Sequence, residues 1–289
     1  IEELKMYQDN PSDRLYNSLL KNLYKKNNHR EDVVGTIDSI KNITKDILYT
    51  CYNTFYHPKN MYLSISGDVD IEETFKIIEK NQSKKEFPDF NGIKCKYDIE
   101  SNVVNRKSGS SQMDIVMPRV SVGLKLPTFE YEKDELLKLE CITKIILEYK
   151  FGFSSKNYQY MLDEDLISGF TYSFHYDKST SHIKFIANSF NPKLFANFIK
   201  CELLKLKDFE IDDYSFENIK RGLIGTFIKS FDNVEFVSTN LIEYLFKNTD
   251  IFNALNIINS ITTEDLYDFV KYFNEDSISY YIIKPKNIK

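Results

Sequence analysis

A chain of 289 residues with 42% hydrophobic, 15% aromatic and 28% charged side chains has a globular profile and the length of two domains at about 100–200 residues each, which excludes disordered and collagen-like classes. With 38 basic against 43 acidic residues, the formal net charge of -5 leaves no electrostatic footprint for nucleic acid. No run reaches the ~18 apolar residues of a membrane span, and no basic-then-apolar leader opens the chain, so the reading is no membrane and a cytoplasmic protein.

Residues 1–26 read as helix broken by a turn at Asp9, Asn10, Pro11 and Ser12, with Leu15, Leu19, Leu20 and Leu23 at helical spacing in the second piece. Nothing before Glu2 would cap the first helix, as if the sequence opened inside one. Thr44 is the expected N-cap of a helix ending at Phe55, followed by a strand over 60–66 and a helix over about 71–81. The polar stretch 81–93, with Pro88 and Gly92, reads as a linker. Strands are expected at 98–107 and 111–125, then a helix over 133–150 and a short one ending at Leu162. A hairpin over 170–177 and 182–189 precedes helices at 192–207, 212–231, 234–248, 251–259 and 263–273, and a last strand covers 277–284. Without regular βα alternation, this order favours an α+β sandwich. The segment Ile37, Asp38, Ser39, Ile40 with Thr44, Lys45, Asp46, Ile47 is echoed by Ile258, Asn259, Ser260, Ile261 with Thr263, Glu264, Asp265, Leu266, which favours a duplicated domain.

Cys51, Cys95, Cys141 and Cys201 lie too far apart for C-x-x-C chemistry and read as buried, reduced thiols. None of the four histidines has another at i+3 or i+4. His29 falls in a polar loop, and His57, before Pro58 at a helix end, reads as structural. A turn centred between Lys178 and Ser179 would set His175 opposite His182, with Asp177 on the same face. Two imidazoles and a carboxylate suit a metal, but no further ligand is implied, and the pair is read as polar and solvent-facing. No G-x-S-x-G or phosphate loop occurs. Phe170, Tyr172, Phe174 and Tyr176 alternate as the buried face of a strand.

The block from Gly35-Thr36-Ile37-Asp38-Ser39-Ile40 through Thr44-Lys45-Asp46 and His57-Pro58-Lys59-Asn60-Met61 to Gly67-Asp68-Val69 resembles the pitrilysin family of zinc metallopeptidases, in its short two-domain bacterial form. Phe151-Gly152-Phe153-Ser154-Ser155 and Gly169–Phe174 resemble segments of that family's second domain. The resemblance implies duplicated α/β-sandwich domains, each a mostly antiparallel sheet packed by helices, with the first domain truncated. Residues 1–92 would be the back half of the zinc-site domain plus linker, and 93–289 the second, non-catalytic domain. In the family, two histidines of H-x-x-E-H bind zinc and the glutamate between them is general base; a distal glutamate completes the set. This sequence has no H-x-x-E-H, so it carries no catalytic residue of its own, but Glu3 matches the distal glutamate and would be the third zinc ligand of the intact parent. Asp163 stands where several relatives place a substrate-contacting arginine, so a same-fold partner subunit, in a homo- or heterodimer, is expected to supply that contact.

The function implied is the carboxy-terminal part of a zinc-dependent endopeptidase that cleaves peptides or unfolded segments in an enclosed chamber. By itself this chain would be inactive and without zinc. The alternative is a non-catalytic, substrate-binding subunit of a two-subunit peptidase of the same family.

Overall fold

Asn10 ends one helix and begins the next. Its side chain accepts the Ser12 N–H, and Pro11 follows at the first helical position, where a missing N–H costs nothing; the result is α1 (Glu2–Asp9) and α2 (Pro11–Leu23). A computed structural model of the chain describes residues 1–98, 100–129, 131 and 133–286. Residue 99 of the first expected strand after the linker and the last three residues of the domain expected to run to 289 lie outside them.

Five strands form one sheet: β1 (Ser108–Met113), β2 (Arg119–Leu126), β3 (Gly169–Tyr176), β4 (Ser181–Asn188) and β5 (Ile278–Pro285). Their spatial order is β1-β5-β2-β4-β3, antiparallel throughout except for the parallel β1–β5 pair. Side chains alternate across a pleated strand, so each strand serves two faces. Val120, Val122, Leu124 and Leu126 of β2, with Ile183, Phe185 and Ala187 of β4, point into the main core. There they meet α6 (Glu135–Phe151), α7 (Lys156–Asp163), α8 (Pro192–Lys205), α9 (Asp213–Ser230) and α12 (Thr263–Val270). Phe170, Tyr172, Phe174 and Tyr176 join this core as the alternation predicts. α10 (Val234–Phe246) and α11 (Ala254–Ser260) build a second, smaller cluster around Leu137, Tyr244 and Ile257.

The opposite face carries small and polar residues, Ser121, Gly123, Lys125, Ser279, His182 and Lys184, and α2 lies across it. The leucine stripe of α2 finds its cover there. Leu15 packs with Met113 and Ile283, while Leu19, Leu20 and Leu23 pack with Tyr24 and Val104. Gly123 makes the approach possible, since a Cβ at that position would sit 3.0–3.2 Å from the methyl carbons of Leu23 and Leu19. Leu19 is fully buried in this seam. Leu19→Ala is expected to cost about 2–5 kcal/mol, read from the urea midpoint at unchanged m-value.

Three expectations need correction. The stretch 98–107 forms no strand in its described residues; the first strand starts at Ser108 and the second at Arg119, because pairing with β5 and β4 rather than local pattern sets their limits. Residues 61–66 have the alternation of a strand but no neighbour to pair with among the described residues, and Met61, Leu63 and Ile65 are exposed. The cysteines are free but not buried: Cys51, Cys95 and Cys201 are exposed and Cys141 is partly covered. Helical spacing gave them an element without giving the face that the element buries.

The echo has a structural counterpart. α3 (Ile37–Lys41) leads to α4 (Lys45–Phe55), capped by Thr44, as α11 leads to α12, capped by Thr262. The first copy ends in the unpaired segment and the second in β5. α4 and α5 (Ile71–Gln82) bury no residue among those described, and Ile47, Leu48, Tyr52, Ile71 and Phe75 face outward.

Candidate functional site

Glu3 sits in the first turn of α1, exposed, beside Leu4, which anchors the helix in the interior. Among the described residues, no group of three His, Cys, Asp or Glu side chains is arranged to hold a metal ion. A structural or catalytic zinc needs at least three protein ligands, so Glu3 alone does not fit zinc in this chain. Asp163, the last residue of α7, is exposed and accepts a hydrogen bond from Gln159 Nε2 at 2.7 Å.

His57 is structural, as its position suggested. Its Nδ1 accepts the Lys59 N–H, so Nε2 carries the proton and donates to the Pro88 carbonyl at 3.0 Å; the ring stacks on Phe90 at 4.7 Å. The contact fastens the helix end to the linker.

The other three histidines gather on the α2 face of the sheet. His175 and His182 are direct cross-strand partners, as the turn symmetry predicts. His175 is half-buried, and His182 does not face solvent. His182 is completely buried, and His29, from the turn after α2, stacks on His175 with ring centroids 4.6 Å apart and planes 13° from parallel. The His182 centroid lies 5.3 Å from His175 and 6.0 Å from His29. The solvent-facing reading failed because α2 and its following turn roof this face, which pairing within the hairpin could not reveal.

Hydrogen bonding fixes one tautomer. The Tyr24 hydroxyl donates to the Ser181 carbonyl at 3.0 Å, and His182 Nδ1 lies 3.0 Å from the same hydroxyl oxygen. A carbonyl only accepts, so Tyr24 has spent its proton there and Nδ1–H must be the donor to Tyr24. Nε2 of His182 is then an unprotonated lone pair, buried and without a hydrogen-bond partner, and the Nε2 atoms of His29 and His175 are also buried and unpartnered. Burial lowers the pKa of all three rings. For His175 and His182 the neighbouring imidazoles add to the effect, while Asp177 pulls His29 and His175 partly back.

Beside this stack, Glu100 ties three segments together. Its Oε1 accepts the backbone N–H groups of Lys25, Lys26 and Asn27 at 3.0, 2.5 and 2.7 Å, and its Oε2 accepts Lys125 Nζ of β2 at 3.0 Å. The Lys125 ammonium also lies 4.8 Å from the Tyr24 ring centre. Both charged side chains are nearly inaccessible, 2% for Lys125 and 6% for Glu100. Burial pulls the Glu100 carboxyl upward, yet the N–H groups of Asn27 and Lys26 and the Lys125 ammonium together hold it below the usual carboxylate range. Burial lowers Lys125, and Glu100 opposes that. No sequence signal marked Glu100 as a site residue; it falls in the stretch expected as a strand that the structure leaves as a connection.

The model of the peptidase M16 inactive domain matches residues 42–223. The uncharacterized zinc protease YmfH of Bacillus subtilis is 34% identical over 272 residues, covering 93% of this chain and 63% of its own length. Zinc protease PqqE of Helicobacter pylori is 24% identical over 281 residues, covering 95% of this chain and 62% of its own length. The chain therefore spans somewhat less than two thirds of these relatives. Among solved structures, one described as an M16-like peptidase from Alicyclobacillus acidocaldarius superposes with a TM-score of 0.92 at 28% identity, over 99% of this chain and 68% of that one. The match to the inactive-domain model, with relatives named as zinc proteases over nearly the whole chain, bears out the resemblance read in the Gly35–Val69 block: the chain belongs to the M16 (pitrilysin-like) zinc protease family, as a carboxy-terminal half carrying its inactive domain.

Proposed function

We propose that this chain is the carboxy-terminal part of a zinc-dependent endopeptidase that cleaves peptides or unfolded segments within an enclosed chamber. One observation carries the reading: YmfH, named a zinc protease, matches 93% of this chain, while this chain accounts for only 63% of YmfH and has no H-x-x-E-H. In this reading, residues 1–92 are the back half of the zinc-site domain and 93–289 the second domain. The unpaired segment 61–66 and the outward apolar faces of α4 and α5 support it, since exposed apolar faces of this extent mark surfaces that another part of a protein covers.

Glu3 would then be the third zinc ligand, its imidazole partners lying upstream of Ile1. Without them the chain binds no catalytic zinc. Zinc, once held by such a set, supplies a polarised water and a Lewis acid for the peptide carbonyl. Substrate would add as an extended strand to a sheet edge, where backbone hydrogen bonds favour breadth over sequence preference. A same-fold partner subunit and a cytoplasmic location belong to the same proposal.

The test is to express the protein with its upstream segment and measure zinc content together with cleavage of a quenched fluorescent peptide. About one zinc per protein and chelator-sensitive cleavage are expected, with neither in the 289-residue chain. An upstream segment without H-x-x-E-H, and a protein without zinc, would overturn the peptidase in favour of the non-catalytic, substrate-binding subunit.

A further inference from the structure

We infer that His29, His175 and His182 form an acid-labile latch that holds the end of α2 and its following turn against the β3–β4 hairpin at neutral pH and releases them on mild acidification. The inference is independent of the peptidase reading.

The three rings come from two distant parts of the chain, one from the turn after α2 and two from the hairpin, and they meet with centroids 4.6, 5.3 and 6.0 Å apart. A proton on Nε2 of His182, whose Nδ1–H already donates to Tyr24, would create a fully buried cation with no acceptor in place, and the Nε2 atoms of His29 and His175 likewise lack a partner. The surroundings are already rich in positive charge. From β4, Lys184 Nζ lies 3.7 Å from the Tyr16 ring centre on the same face, and from β2, Lys125 lies over Tyr24. Tyr16 of α2 and Tyr24 at its C-terminal cap contribute phenols. On the acidic side, Glu100 is occupied by Lys125 and three backbone N–H groups, which leaves Asp177, in the hairpin turn, as the carboxylate acting on the stack. One carboxylate offsets one imidazolium at most. A second proton meets like charge on either side and drives the stacked rings apart.

The sign follows from the depressed ring pKa values. Above about pH 6.5, where an unfolded histidine is also neutral, the latch contributes its full stability. Below it the open chain binds more protons than the closed one, so stability falls with pH until the folded pKa values are passed. One proton of difference makes the folding equilibrium constant drop about tenfold per pH unit.

The experiment is urea unfolding of the 289-residue chain from pH 7.5 to 5.5, beside the His29→Phe, His175→Phe double variant, which keeps two stacked rings that cannot titrate. His57 is common to both proteins. The natural chain is expected to lose at least about tenfold in its folding constant between pH 6.5 and 5.5, and the variant to lose clearly less. Hydrogen exchange should rise on acidification at residues 24–30 and 177–182 while α6 stays protected. If the double variant fails to fold, His29→Gln should still reduce the pH slope. Parallel pH profiles for natural and variant chains, or exchange that rises equally in α6, would overturn the latch.

Discussion

Glu3→Gln in the protein that includes the segment upstream of Ile1 is expected to abolish most peptide cleavage and lower bound zinc well below one per molecule. Substituting groups that merely orient metal ligands costs ~10–100-fold in affinity or activity, so losing a ligand itself should exceed that range. The amide is nearly isosteric with the carboxylate but carries no charge to neutralise the metal. Glu3 is exposed on a helix anchored by Leu4, so the same change should leave the urea midpoint of the 289-residue chain within about 0.5 kcal/mol of its starting stability. This pairing separates a ligand from a structural glutamate. Unchanged zinc content and cleavage would reject the assignment while leaving the family membership untouched.

The largest loss of stability from a single polar change is expected at Glu100. Glu100→Gln strands the buried Lys125 ammonium without its counter-charge and weakens the acceptor for three backbone N–H groups. Removing one member of a buried pair costs about 3–5 kcal/mol, because the remaining charge stays desolvated. Adding Lys125→Met should recover a substantial part of that loss, since an apolar pairing avoids the stranded charge; a double-mutant cycle by urea unfolding reads both terms. A loss below about 1 kcal/mol for Glu100→Gln would mean that water reaches Lys125 and the site behaves as a surface ion pair. The pH dependence has a definite sign. The folded carboxyl is held below its ordinary value of 4.5, so its contribution is complete above that pH and is lost as pH falls through the folded pKa.

The helices from α6 to α12 were legible from apolar periodicity, although the echo set Thr263 beside Thr44 where the cap of α12 is Thr262, in a reciprocal hydrogen-bond pair with Asp265. The β3–β4 register was legible too, since a turn centred between Lys178 and Ser179 leaves His175 only one partner. What local pattern could not show is which surfaces meet. The leucine stripe of α2 announces a buried face but not that a strand face of serines, a glycine and two histidines receives it. For the same reason His29 and Glu100 were invisible as members of a site: His29 lies in a polar loop and Glu100 in a stretch read as a strand, and their roles come from the face opposite. Glu3 became a candidate through family resemblance alone, because the sequence holds no H-x-x-E-H to set beside it.

The order β1-β5-β2-β4-β3 places the last strand made between the first two. β1 touches no other strand, and β2 gains its second neighbour only when β5 slides in. A nascent chain emerging from the ribosome would therefore hold β2, β3 and β4 as a three-stranded partial sheet, with β1 unattached and Leu15 of α2 lacking the Ile283 it packs on. Completion waits for the insertion of Ile278–Pro285 along its whole length, a non-local and hence slow step. Until then the open edge of β2 and the unseated α2 are the surfaces a chaperone would have to cover.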